Sequence, residues 1–166
     1  MEGLMMGTRS GSIDPGILLY MLRTRRAVWR ELETVLDHQS GLVGVFGRAA
    51  GMREIEKAAG EGNARARVAI DMFVSRAAAG IAAVATALPR LDGLVFTGGI
   101  GEHSSELRRI VCERFAFLGA ALDQELNSAA AGDVDISSRD ARTRVLVIEA
   151  REDWEIAKEV HRFITR

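Results

Sequence analysis

The segment Phe96-Thr97-Gly98-Gly99-Ile100-Gly101-Glu102-His103-Ser104 has the strongest chemical potential in the chain. A short apolar run ends in glycines and leads into a helix. Glycine admits positive φ and lets a ligand lie against bare backbone. A helix N-terminus offers free N–H groups to an anion. In open α/β sheets, ligands sit beyond the C-terminal ends of the strands. Gly98, Gly99, Ile100 and Gly101 therefore suit a nucleotide or another phosphate-bearing ligand. A tight strand–helix connection that needs glycine only for its geometry explains the same residues. The spacing is neither the dinucleotide fingerprint nor the P-loop.

Other reactive side chains have plainer readings. Cys112 is the only cysteine and falls on a partly apolar helix face, which predicts a small core residue and not a nucleophile. His38 and His161 lie among charged helical residues and are expected to be solvated. Trp29 and Trp154 are expected to pack. Arg9, just before a helix start, reads on its own as a salt-bridged arginine. Glu152 opens a helix, where a carboxylate complements the dipole.

The elements that position these residues follow from pattern. Asp14-Pro15 starts a helix, with Asp14 as N-cap and Pro15 in the first turn. Val28, Leu32, Val35 and Leu36 have helical spacing within a helix predicted from Arg26 to His38. Residues 40–47, Gly-rich and apolar, predict a turn or short extended segment with close backbone packing. A short helix from Met52 to Ala59 is closed by Gly60 and Gly62. Asn63 caps the longest helix, predicted over Ala64 to Leu88 and stopped by Pro89. Its alanines and Gly80 give it a thin face that a neighbour can approach. Strands are predicted at Gly93–Thr97 and Arg144–Ile148, each followed by a helix, Ser104–Phe115 and Glu152–Ile164. Asn127–Arg142 reads as a loop with a short strand at Val134–Ile136. Strand, turn and helix twice over predict an α/β architecture with parallel strands.

Bulk properties agree with a folded domain. The 166 residues are 48% apolar and 27% charged, with a formal net charge of −1, too apolar and too nearly neutral for disorder. Such a balance gives no basic field for nucleic acid or an anionic membrane. A lone cysteine suits a reducing, cytoplasmic setting. No uninterrupted apolar run reaches 18 residues, so no transmembrane helix is expected. The first residues lack the pattern of a signal peptide. They also lack the strand that usually opens an α/β domain, so the sequence is expected to start in mid-domain.

Four ordered segments resemble the acetate kinase family. Met6-Gly7-Thr8-Arg9-Ser10-Gly11-Ser12-Ile13-Asp14-Pro15 is similar to the family's M-G-T-R-x-G-x-I-D-P. Ser40-Gly41-Leu42-Val43-Gly44 with Met52-Arg53 is similar to S-G-x-x-G and D-[MF]-R. Phe96 to Ser104 is similar to the adenosine-binding F-T-[AG]-G-I-G-E-[NH]-S. Val145 to Ile148, with Glu152 and Ile156-Ala157, resembles the C-terminal strand, acidic position and helix.

The resemblance implies a ribonuclease H-like, actin-like ATPase domain: the C-terminal nucleotide-binding half, residues 1–166, of a two-domain kinase, with long helices packed on a small sheet. It implies phosphoryl transfer between ATP and acetate with Mg²⁺, and a homodimer joined through this half. Arg9 matches the active-site arginine. Glu152 matches the metal-binding glutamate. Arg53, Gly98, Gly99, Ile100, Gly101 and His103 match positions near the nucleotide. One departure stands out: the aspartate two residues before Arg53 is Gly51 here. The family's Ser-rich phosphate loop, second arginine, catalytic aspartate and histidine belong to an N-terminal half that this sequence is expected to lack, leaving the chain alone inactive. A non-catalytic nucleotide-binding or dimerising fragment is the alternative, as is a propionate or butyrate kinase, whose acyl-selecting residues lie outside these motifs.

Overall fold

A computed structural model describes residues 2–24, 26 and 28–165. The chain forms two compact units, residues 1–90 and 91–166.

The first unit is helical. Helix α1 spans Pro15–Arg23, and the Asp14 carboxylate accepts the Gly16 N–H at 2.7 Å, as its sequence predicts. Helix α2 spans Trp29–His38 and begins later than Arg26. Glu31 turns back to accept the Val28 N–H at 2.9 Å and so fixes the first turn there; Ala27 lies outside the described residues. Residues 41–46 overturn the expectation of an extended segment. They form helix α3, Gly41–Phe46, closed by Gly47 at φ +91°. Helix α4 spans Met52–Gly60 and helix α5 spans Ala64–Ala85. Asn63 caps α5 by accepting the Ala66 N–H at 3.0 Å. Buried Ala66, Ala69, Ile70 and Val74 face α3 and α4 from its N-terminal part. They form the core of the unit with Leu42, Phe46, Met52 and Ile55. The thin face works as expected at Gly80, where an added Cβ would meet Leu4 at 2.9 Å.

The C-terminal part of α5 is less covered: Val84 is 70% exposed. By length and composition alone, α5 is apolar enough to cross a membrane, a test that a core helix also passes. Asp71 and Arg76 break the run in sequence, and the part packed on α3 and α4 is the wall of a protein core.

The second unit is a three-stranded sheet with helices. Strands β1, Gly93–Phe96, and β3, Arg144–Val147, are parallel neighbours. Strand β2, Val134–Asp135, adds antiparallel to β3, giving the order β1-β3-β2. Leu94, Phe96, Val145 and Val147 are buried, as are Leu107, Val111 and Cys112 of helix α7, Ser105–Arg114. The expected core role of Cys112 is met; burial pushes its thiol up to about 12. Two further helices depart from expectation. Gly98–His103 is itself a short helix, α6. Gln124–Ala129 forms α8, capped by Asp123, which accepts the Glu125 and Leu126 N–H groups at 3.0 Å. Helix α9 spans Glu152–Ile164, as predicted. Trp29 and Trp154 do not pack as expected: they are 62% and 64% exposed, and Trp29 lies under the Arg30 guanidinium. His38 and His161 are exposed.

Candidate functional site

The two parallel strands end side by side, and their C-terminal connections enclose an open cleft of about 460 Å³. Gly98, Gly99 and Glu102 of α6 line it, with Glu149, Ala150, Arg151, Glu152 and Asp153 from the β3–α9 connection. Two predicted sites thus meet in one place, the glycine segment and Glu152. A Cβ at Gly98 or Gly99 would meet nothing within 4 Å, so bare backbone faces open space. Gly98 sits at φ +72°, where a side chain is strained. Gly101 serves packing instead, since an added Cβ there would approach the Phe96 carbonyl carbon at 3.3 Å. Ile100 is half-buried and His103 exposed; neither lines the cleft.

Glu102 organises this arrangement, and its role is not evident from the motif. One carboxylate oxygen accepts the Gly98 N–H at 2.7 Å and the Ala150 N–H at 2.9 Å. It ties the segment after β1 to the segment after β3, and it occupies the first free N–H of α6. Arg151 precedes Glu152 in the left-handed region, at φ +47°, an uncommon conformation for a residue with a side chain. Its guanidinium is anchored on Asp133 at 2.9 Å. That hydrogen bond, with the Glu149 N–H, holds the Asp133 carboxyl below the usual carboxylate range.

Glu102, Glu149, Glu152 and Asp153 give the cleft four carboxylates against one guanidinium. A polyphosphate would meet like charge there without an intervening cation. Among the described residues no group of three or more His, Cys, Asp or Glu side chains forms a metal cage. Exposed Glu152, at the first turn of α9, fits Mg²⁺ held by one carboxylate, phosphate oxygens and water.

Arg9 and Arg53 belong to the first unit. The Met6–Ser10 backbone is laced to α2 and α3. The Met6 and Gly7 carbonyls accept the Leu42 and Val43 N–H groups at 3.0 and 2.9 Å, and the Thr8 carbonyl accepts from Ser40 at 2.9 Å. Ser10 N–H donates to the Leu36 carbonyl at 3.0 Å. Gly41 permits this closeness, since a Cβ there would lie 2.2 Å from the Met6 carbonyl oxygen. The motifs around Arg9 and Gly41 are therefore one structure. Its backbone is fixed, while the Arg9 side chain is 56% exposed and its guanidinium reaches Asp37 only at 3.8 Å. Arg53 is exposed on the first turn of α4. With Gly51 as N-cap, the Gly51 N–H is accepted by Glu54 at 3.3 Å.

The sequence profile of the acetokinase family matches residues 1–158. The chain belongs to the acetokinase family. An acetate kinase from Nostoc punctiforme is 50% identical over 158 residues, 95% of this chain and 39% of that protein. The crystal structure of Porphyromonas gingivalis acetate kinase superposes with a TM-score of 0.87 at 35% identity, over 98% of this chain and 41% of that one. A propionate kinase from Francisella tularensis also gives 0.87, at 37% identity, over 95% of this chain and 40% of that one. The α/β actin-like kinase fold expected from the sequence is thereby established. This acetokinase-family chain spans about 40% of the length of the curated relatives it matches.

Proposed function

We propose that this chain supplies the nucleotide- and metal-binding part of an enzyme that transfers phosphoryl between ATP and acetate, giving acetyl phosphate and ADP. The observation that carries this reading is the meeting of open Gly98–Gly99 backbone and Glu152 in one cleft beyond two parallel strand ends. In this reading the segment from Gly98 to Gly101 receives the nucleotide, with Ile100, His103 and Arg53 near it. Magnesium, when bound, offsets phosphate charge, and Glu152 is the residue that holds it. Arg9 presents its guanidinium to the transferring phosphoryl group, where charge spreads over three oxygens. A centre assembled from separate parts loses most of its rate when one part is missing. The chain alone is therefore proposed to be inactive with acetate and ATP, and to gain activity when joined to the N-terminal portion of a curated relative.

Glu152→Gln in that joined enzyme should raise the Mg²⁺ concentration for half-maximal rate by roughly tenfold or more, because the amide loses the anionic oxygen a hard cation prefers. Assay of rate against Mg²⁺ decides it; an unchanged requirement would leave Glu152 as a helix-dipole charge only.

We further propose a cytoplasmic homodimer joined through this half, with no nucleic acid or membrane partner. Val68 and Met72, one turn apart on α5, are 50% and 41% exposed, an apolar surface that a second copy would cover. Sedimentation equilibrium should give twice the chain mass at micromolar concentration; a monomer there would count against it.

A further inference from the structure

Arg108 is 2% exposed, and a buried guanidinium is costly unless its N–H groups are satisfied. It donates to four oxygens, none of them a carboxylate. Nη1 donates to the Gly101 and Glu102 carbonyls at 2.9 and 2.8 Å. Nε and Nη2 donate to the Asn127 side-chain and backbone oxygens, each at 2.8 Å. The first two acceptors lie near the C-terminal end of α6, where a helix leaves carbonyls without intrahelical partners and where its dipole favours a cation. Asn127, 2% exposed on α8, completes the link: its Nδ2 donates to the Ser105 carbonyl at the start of α7, at 2.9 Å.

These contacts explain how a glycine-rich segment of low helix propensity keeps its shape. Arg108 holds the Glu102 carbonyl, and from that fixed point the Glu102 carboxylate reaches the Gly98 and Ala150 N–H groups. We propose that Arg108 and Asn127 are positioning residues that hold α6, so that Glu102 clamps the two strand ends in the shape that receives a nucleotide. The proposal rests on the nucleotide reading of this cleft. Neither residue lines the cleft, so any effect on ligand passes through α6.

The test compares the unmodified chain with Arg108→Met, Arg108→Lys and Asn127→Ala, by amide hydrogen exchange and by calorimetric titration of MgADP. Arg108→Met keeps a long apolar stem and removes all four donated hydrogen bonds. It should lower protection at the Gly98 and Ala150 amides and weaken MgADP binding, each by about tenfold, as loss of one net hydrogen bond to a charged group would. The Ile136 amide, paired with Val145 inside the sheet, should keep its protection, which separates loosening of α6 from general destabilisation. Arg108→Lys should recover part of the affinity, because an ammonium cannot satisfy all four oxygens at once. Should Arg108→Met fail to fold, Asn127→Ala carries the same expectation. Unchanged MgADP affinity in a folded Arg108→Met or Asn127→Ala chain overturns the proposal while leaving the nucleotide reading intact. Failure of the unmodified chain to bind MgADP overturns the reading itself, and the proposal with it.

Discussion

Arg9→Ala, in the chain joined to the N-terminal portion of a relative, is expected to lower kcat by about 10²–10³, or roughly 3–4 kcal/mol, comparable to removing one oxyanion-hole donor. The KM for ATP should change far less, the signature of an interaction made mainly in the transition state. The structure makes the experiment clean. Residues 6–10 are held through backbone hydrogen bonds to α2 and α3, which the substitution leaves in place. Among the described residues Arg9 pairs with Asp37 at 3.8 Å, with the Arg9 side chain 56% exposed. An exposed pair of that kind contributes little stability, so thermal unfolding should be unchanged. Arg9→Lys should restore only part of the rate, since an ammonium lacks the planar fork. Steady-state kinetics and a melting curve check both expectations. Near-normal kcat would make Arg9 a structural arginine, the reading its sequence position alone favours.

Gly99→Val is expected to abolish nucleotide binding by the chain. An added Cβ at Gly99 meets nothing within 4 Å, and Gly99 is not among the positive-φ glycines. The folded protein therefore tolerates the substitution, and the space it fills is space for ligand. Gly99→Ala should raise stability by up to about 1 kcal/mol, because alanine is the better helix former, while still weakening binding. Opposite signs for stability and affinity are hard to obtain from a residue that serves the fold alone. Gly98 is a poorer probe, since at φ +72° a side chain strains the backbone as well. Calorimetry with ADP and thermal melting on the same samples give both quantities. Unchanged ADP affinity in Gly99→Val would take this segment out of the site.

The strands and most helices were legible because local signals carried them: the apolar runs at β1 and β3, the Asp14 and Asn63 caps, the dense first turn of α9. Helices α3 and α6 were not, for a physical reason. Each is short and glycine-rich, so propensity argues against a helix, and distant groups override it. Gly41 is pressed against the Met6 carbonyl, and α6 is held by Arg108 and by Asn127, 19 residues further on. Helix α8 did have a local signal, Asp123 before Gln124-Glu125-Leu126, but its second half, from Asn127, falls in the stretch of small polar residues that reads as loop. At the site, the glycines and Glu152 stood out by type and context. Glu102 lay inside the same motif without announcing a role, because its partner Ala150 is 48 residues away. The exposed Trp29 and Trp154 show the limit of composition: an aromatic on an amphipathic helix predicts burial but not against what.

The nucleotide assignment stands or falls on titration of MgADP into isotopically labelled chain, followed residue by residue by NMR. Shifts should concentrate at Gly98, Gly99, Ala150 and Glu152, the residues that the cleft brings together. A rival cavity of about 260 Å³, lined by Arg48, Glu54, Lys57 and Glu61 in the first unit, serves as the internal comparison. Shifts confined to those four residues, or none anywhere at millimolar MgADP, would contradict the assignment of the nucleotide to the Gly98–Glu152 cleft.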